Sequence, residues 1–114
     1  MIRVVLLTRD GALCGFVSAG HAGYGEYGTD IVCAAVSVLT QTCVNALESV
    51  AGVKPLVRRG EGFLAARLPK ECESRDAQVL FLGLRQGLND IAAQYPTYIR
   101  LTCRAESERR KHSC

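Results

Sequence analysis

Residues 20–33 read GHAGYGEYGTDIVC, a glycine-rich segment that leads directly into an apolar one. Four glycines within nine residues allow backbone conformations, including positive φ, that other residues rarely adopt. A long apolar run begins after Gly28, and either Thr29 or Asp30 can accept the free N–H groups of a first helical turn. The stretch therefore predicts a flexible loop followed by a helix that begins at about Asp30.

Two side chains of this stretch, His21 and Cys33, form the smallest complete unit of nucleophile and base. A cysteine reacts as its thiolate, which the free N–H groups and the dipole of a first helical turn favour. A neighbouring imidazole can take up the thiol proton. Because His21 is the only histidine outside the C-terminal tail, the pair predicts that Cys33 is a nucleophile and His21 its base.

Asp30 and Ser37 are the polar residues that can support this pair. Asp30 either caps the helix or holds the ring of His21 and stabilises its charged form. Ser37 lies one turn after Cys33, on the narrow polar side of an otherwise apolar helix. Its hydroxyl can donate to the sulfur, orient the histidine, or bond back to the Cys33 carbonyl.

The rest of the chain predicts the element order ββαββαβ. The Asp10-Gly11 pair between two β-rich runs is typical of a tight hairpin, and Gly52 is placed to end the first helix. Apolar residues repeat at three- and four-residue intervals along a second helix, which Pro96 ends. The order predicts an α+β fold with an antiparallel-rich sheet packed against two helices. The predicted strands cover residues 1–8, 12–18, 54–59, 62–68 and 97–104, and the predicted helices cover residues 30–50 and 74–94.

Length and composition indicate one globular domain of 114 residues. Hydrophobic residues make up 48% of the chain and charged residues 22%, which are ordinary values for globular proteins. No secretory signal is visible at the N-terminus, and polar residues interrupt the apolar helix at 30–50, which argues against a membrane span. We therefore expect a cytoplasmic protein without a membrane partner.

Six cysteines in a short chain raise the alternatives of disulfides or a metal site. Neither is expected, because the sequence has no C-x-x-C pair, no secretory context and no ligands at zinc spacing. Cys14, Cys43 and Cys103 are interpreted as small buried hydrophobic residues. We predict no metal and no cofactor.

Two other functions fit parts of the sequence. Residues 23–28 match G-x-G-x-x-G, but the preceding strand closes a hairpin and the chain cannot form the parallel sheet of a dinucleotide site. A non-enzymatic RNA-binding or ribosome-associated module could use the basic tail, with Tyr24 or Tyr27 for stacking. A net charge of +3 without a basic face on a folded element favours this weakly, so no direct nucleic-acid partner is expected.

The motifs GHAGY at residues 20–24 and GTDIVCAAVS at residues 28–37 closely resemble the Prp family, the ribosomal-processing cysteine proteases. The resemblance continues through LTQT at residues 39–42 and Val44-Asn45, and the ββαββαβ order agrees with it. Residues 1–104 then form a single cysteine protease domain. Residues 105–114, which lie outside the resemblance, are expected to be a disordered tail.

The resemblance implies residue roles, a substrate and an assembly. Cys33 matches the nucleophile and His21 the base, while Gly20, Asp30 and Ser37 match supporting positions. The family is homodimeric and removes a short N-terminal extension from large-subunit ribosomal protein twenty-seven. The resemblance implies that this extension ends in apolar, largely aromatic residues. Tyr24 and Tyr27 either line the subsite for them or only anchor the loop. Backbone N–H groups at the helix start are expected to stabilise the oxyanion.

Overall fold

The computed structural model describes residues 1–25 and 30–106 of the chain. Five strands and two long helices follow one another in the predicted order, which confirms the predicted α+β class. The strands are β1 (Ile2–Arg9), β2 (Ala12–Ala19), β3 (Leu56–Gly60), β4 (Phe63–Arg67) and β5 (Ile99–Ala105), and the helices are α1 (Ile31–Ser49) and α2 (Arg75–Gln94).

The five strands form one sheet in the order β3-β4-β2-β1-β5. Neighbouring strands are antiparallel except at one edge, where β5 runs parallel to β1. The sheet is therefore mixed, although antiparallel pairs predominate as predicted. A parallel neighbour needs a crossover connection, and α2 together with the segments that flank it carries the chain from β4 to β5.

The hairpin between β1 and β2 follows the local sequence. Asp10 has φ 53° and Gly11 has φ 84°, which are the two successive positive values of a type I′ turn. Gly52, at φ 69°, ends α1 as predicted, because its N–H donates to the Glu48 carbonyl at 3.2 Å.

Both helices pack against the same face of the sheet. Alternate residues of β1 point into this core, and the residues between them are only half-buried or exposed. In the part of the chain that the structure describes, neither helix covers the opposite face of the sheet. The buried core unites residues of the sheet with residues of both helices, among them Val4, Leu6, Phe16, Val32, Leu47, Phe81 and Leu88.

The helix α1 is long and apolar enough, by length and composition alone, to cross a membrane. In this fold it is a core helix, because its side chains Val32, Val36, Val44 and Leu47 are buried in the common core. Its outer side nevertheless leaves large apolar groups in solvent, and Val38 is 64% exposed.

The C-terminal boundary of the fold differs slightly from the predicted one. Ala105 belongs to β5, and Glu106 is buried and forms an ion pair with Arg9 at 3.0 Å. Both residues fall in the segment that the sequence assigns to the tail. The remainder of that segment, residues 107–114, lies outside the described residues.

Candidate active site

The site begins where β2 ends. Gly20 has φ 99°, and its N–H donates to the Gly62 carbonyl at 2.9 Å, which joins this end of β2 to the turn between β3 and β4. A Cβ at position 20 would lie 2.5 Å from the Met1 carbonyl oxygen. The close approach and the positive φ both require glycine at position 20. The conformation of Gly20 directs the next residue, His21, toward the turn between β3 and β4.

His21 packs against Gly62 of that turn. A Cβ at position 62 would lie only 2.8 Å from Nε2 and 3.1 Å from Cε1 of the imidazole. Gly62 also has a positive φ, 61°, which disfavours any other residue. The turn thus supports one side of the exposed histidine ring.

Asp30 is the N-cap of α1, as the sequence predicts. Its Oδ1 accepts the N–H groups of Val32 and Cys33, both at 3.0 Å, and its Oδ2 accepts the N–H of Tyr24 at 3.0 Å. The hydrogen bond from the Cys33 N–H, followed by that from Tyr24, holds the pKa of this carboxyl below its ordinary value, although burial acts in the opposite direction. One carboxylate therefore fixes both the first turn of α1 and the loop in front of it.

Cys33 lies in the first turn of α1 and is half-buried. The N–H of Ala22 donates to its Sγ at 3.2 Å, so that the backbone of the loop after β2 reaches across to the sulfur. The loop after β2 and the first turn of α1 are thus held together at the sulfur atom.

The predicted pair meets in one open cavity of about 550 Å³. His21 and Cys33 both line it, together with Gly20 and Ser37. Four of the residues predicted for the site thus surround one space, and Asp30 lies directly behind it as the cap of α1. The remaining walls come from the polar side of α1 and from the turn between β3 and β4, with Thr40, Gln41, Arg59, Glu61 and Gly62 among the lining residues.

Tyr24, which the sequence offers for the aromatic subsite, packs against other aromatic rings. Its ring makes edge contacts with Tyr95 and Tyr98, at centroid distances of 5.5 and 5.1 Å, and it does not line the cavity. Aromatic edge-to-face packing anchors this part of the loop to the end of α2. These contacts favour an anchoring role, and a part of Tyr24 in the aromatic subsite stays a prediction. Tyr27, the other predicted subsite residue, lies outside the described residues.

The structure also shows how the backbone N–H groups at the start of α1, the expected oxyanion donors, are bonded. The N–H groups of Val32 and Cys33 at the helix start are already bound to Asp30. These two groups are consequently not open to a reacting carbonyl. The backbone donor that faces the sulfur comes from Ala22 instead.

The sequence did not indicate the part of the site formed by the turn between β3 and β4. Residues 59–62 read as an ordinary hairpin turn, and only the pairing of β4 with β2, in which Ala19 lies opposite Phe63, brings that turn beside His21. The guanidinium of Arg59 donates to the side-chain oxygen of Gln41 and so connects the turn to α1. No local signal in the sequence reports such a long-range pairing.

Cys14, Cys43 and Cys103 differ from Cys33 in burial, whereas Cys72 is half-buried like Cys33. Burial raises the pKa of Cys14 to about 11 and that of Cys43 to about 12. Both are buried as predicted, whereas Cys103 is exposed, contrary to expectation, because it lies on the edge strand β5. Within residues 1–25 and 30–106, no three His, Cys, Asp or Glu side chains come together as a metal site.

Comparison with known proteins gives a consistent result. Residues 1–100 match the family model described as cysteine protease Prp. The ribosomal processing cysteine protease Prp of Bacillus subtilis is 32% identical over 100 residues, which cover 83% of this chain and 89% of that protein.

Solved structures agree with the sequence comparison. An essential ribosomal processing protease Prp from S. aureus, in complex with a covalently linked product peptide, is 30% identical and has a TM-score of 0.85, covering 90% of this chain and 99% of that one. The same protease in complex with a substrate peptide has a TM-score of 0.79 at 29% identity and the same coverage.

Proposed function

The chain belongs to the Prp family of cysteine proteases, and we propose that it removes a short N-terminal extension from large-subunit ribosomal protein twenty-seven. One observation supports this most strongly: Cys33, in the first turn of α1, accepts a backbone N–H at its sulfur and shares an open cavity with His21. The relatives that carry the name of ribosomal processing protease support the choice of substrate.

The chemistry that this arrangement supports is acyl transfer through Cys33. His21 accepts the thiol proton as Sγ attacks the scissile carbonyl carbon, and the carbonyl electrons move to oxygen. Collapse of this intermediate breaks the C–N bond, and His21 returns the proton to the leaving amine. A water molecule, deprotonated by His21, then hydrolyses the thioester and releases the carboxylate product, and the thiol is restored.

Backbone groups supply the electrostatic support for these steps. We assign the Ala22 N–H, 3.2 Å from Sγ, as a backbone donor to the negative charge that develops as Sγ attacks. Asp30 keeps this donor in place, because it binds the Tyr24 N–H of the same loop and the Cys33 N–H of the helix.

An extended peptide fits the site better than a folded surface does. The cavity is open, and it runs between α1 and the turn of β3 and β4, where Arg59 and Glu61 offer one charge of each sign. A protein N-terminus is flexible enough to enter such a groove, whereas a folded domain is not.

The enzyme is proposed to act in the cytoplasm as a homodimer. Two large apolar side chains on the outer side of α1, Ile31 and Val38, are 54% and 64% exposed, and Val79 on α2 is 48% exposed. Apolar groups of this size on two helices favour contact with a second copy. Light scattering at micromolar concentration is expected to give twice 12.3 kDa, and a monomer would contradict the proposal.

The proposed activity is tested with a peptide that copies the N-terminus of the ribosomal protein, extension included. We expect one cut, at the end of the extension. Cys33→Ala should abolish cleavage but retain binding, and His21→Ala should lower kcat/KM by about 10²–10⁴. Cys103→Ala is the matched control, because it removes an exposed thiol outside the cavity. Cleavage by Cys33→Ala, or none by the wild type, would refute the proposal.

A further inference from the structure

The face of the sheet that carries no helix has an unusual distribution of charge. The strand registers place three residues of each strand on this face, and none of the fifteen is acidic. Five of them are arginines. We call this surface the open sheet face, and its arginines are Arg3 on β1, Arg58 on β3, Arg67 on β4 and Arg100 and Arg104 on β5.

The arginines lie at the two sides of the open sheet face. Arg3 and Arg100 are direct neighbours across β1 and β5, and Arg104 follows on the same strand. Arg58 lies on the opposite edge strand. Between them the face is apolar, with small or half-buried side chains that include Val5, Leu7, Val17, Ala19 and Ala65. Two large apolar side chains on β3 and β4, Leu56 and Phe63, are 53% and 37% exposed on the same face.

Four of the five cations are exposed and have no ion-pair partner among residues 1–25 and 30–106, namely Arg3, Arg58, Arg100 and Arg104. Arg67 is the exception, at 3.8 Å from Glu106. Five strands span about 19 Å at the usual spacing, so the free cations are spread over a broad platform. A net charge of only +3 conceals this local concentration.

We propose that the open sheet face binds the phosphate backbone of RNA. The guanidinium group of an arginine can donate two N–H bonds to one phosphate. The phosphates of a nucleic-acid backbone repeat along the strand, so one strand can contact arginines at both sides of the open sheet face. A second copy of the chain fits poorly, because stacking two such faces would bring exposed arginines together. The carboxylate beside the face, Glu106, is buried and is already paired with Arg9 and Arg67. The choice of RNA over DNA or an acidic protein rests on the proposed function, since a protease that processes a ribosomal protein works beside RNA.

The position of the open sheet face is compatible with proteolysis. Most strand residues that line the cavity of His21 and Cys33, such as Ile2, Ser18 and Leu64, belong to the face covered by the helices. The cavity reaches the open sheet face only at Gly60 and Phe63, at the turn between β3 and β4. RNA that binds the open sheet face away from this turn would leave the cavity accessible. The expectation of no nucleic-acid partner rested on the lack of a basic face on a folded element, and the strand register supplies one.

The test is fluorescence anisotropy with a labelled single-stranded RNA of about 20 nucleotides, measured with the full chain at several salt concentrations. The variant Arg3→Gln/Arg100→Gln/Arg104→Gln should bind at least about tenfold more weakly, and its salt dependence should become less steep by about 2 in log–log slope. The control Lys54→Gln/Arg75→Gln/Arg85→Gln loses the same charge from the helical side and should bind like the wild type. Peptide cleavage and thermal unfolding, followed on the same preparations, show that each variant is folded and active.

Several outcomes would overturn the inference. The inference is wrong if the wild type does not bind RNA, if both triple variants lose the same RNA affinity, or if the open-face variant binds RNA as tightly as the wild type. Tighter binding of polyglutamate than of RNA would assign the face to an acidic protein. A change from dimer to monomer in the open-face variant alone would assign it to a second copy. Because cleavage of the peptide is measured separately, failure of RNA binding leaves the protease proposal standing, and the reverse also holds.

Discussion

The backbone at Gly62 lies so close to His21 that the turn between β3 and β4 limits where the imidazole ring can lie. Gly62→Ala places a Cβ 2.8 Å from Nε2 and also strains a residue at φ 61°. We expect the imidazole to be displaced from the sulfur, which lowers kcat/KM for the peptide by at least about tenfold, since small misplacements of a catalytic base are costly.

Gly11→Ala is the matched control for this change. Gly11 also lies in a hairpin turn at positive φ, but a Cβ there meets nothing within 4 Å. Each variant should lose about 1 kcal/mol of unfolding free energy from backbone strain, and only Gly62→Ala should lose activity. Equal activity in the two variants would show that Gly62 does not position His21.

Asp30 makes a residue-scale prediction that separates capping from catalysis. Asp30→Ala removes the cap of α1 and the bond to Tyr24 N–H, so both the melting temperature and the peptidase activity should fall. Ser74→Ala removes the cap of α2, where Ser74 Oγ accepts the Ala77 N–H at 3.1 Å, and should cost about 1 kcal/mol with activity retained. Thermal denaturation and peptide cleavage on both variants measure this difference.

The stabilisation by Asp30 depends on pH in a defined direction. Because the pKa of Asp30 is lowered in the folded state, the unfolded chain binds the proton more tightly. The contribution is therefore complete above the ordinary carboxyl pKa of about 4 and is lost as the pH falls through the lowered value. The difference in melting temperature between wild type and Asp30→Ala should be constant from about pH 6 to 8 and shrink below about pH 4. A difference that grows on acidification would contradict this assignment.

Residues whose role is local could be predicted from the sequence, and those that act across the fold could not. The cap at Asp30 and the positive φ at Asp10 and Gly11 depend only on neighbouring residues. The contacts of Tyr24 with Tyr95 and of His21 with Gly62 join distant parts of the chain, so no periodicity reports them.

At the scale of elements, helices and hairpins follow from periodicity and turn residues, whereas the strand order does not. Antiparallel neighbours joined by a short turn, such as β1 and β2, are adjacent in sequence. The parallel pairing of β5 with β1 depends instead on which edge of the sheet remains free after α2 has packed.

A buried ion pair holds the end of β5 to the first hairpin. The guanidinium of Arg9 is 3.0 Å from Glu106 and 2.9 Å from Glu73, and Arg9 is 8% exposed. Burial alone would lower the pKa of Arg9, but the hydrogen bonds to Glu73 and Glu106 outweigh it and raise the pKa. Arg9→Met would leave the Glu106 carboxylate buried without its main partner, at a cost of about 3 kcal/mol.

Thermal denaturation measures this cost, which corresponds to a loss of about 10 °C or more in melting temperature. Lys70→Met is the matched control, because Lys70 pairs with Asp10 at 3.9 Å on the surface, with both side chains more than 70% exposed. That variant should change stability by less than about 1 kcal/mol. Equal losses in the two variants would mean that burial does not strengthen the Arg9 pair.

At the scale of the whole molecule, the fold decides which cysteines are accessible and which are not. Cys14 and Cys43 are enclosed by the core, and their raised pKa values keep them as neutral thiols near pH 7. Cys33 reaches an open cavity shared with an imidazole. The packing of α1 against the core leaves the polar side of this helix, with Cys33 and Ser37, facing that cavity.

Iodoacetamide labelling of the native protein tests the nucleophilic role of Cys33 most directly. The parent protein for this test carries Cys103→Ser and Cys114→Ser. These substitutions remove an exposed thiol and a thiol of the C-terminal segment. Peptide mapping near pH 7 should find Cys33 modified first and Cys14 and Cys43 unmodified, and His21→Ala should slow the reaction of Cys33 several-fold. If Cys33 stays unmodified while Cys14 or Cys43 reacts, or if His21→Ala leaves the rate unchanged, then Cys33 and His21 are not a nucleophile and its base.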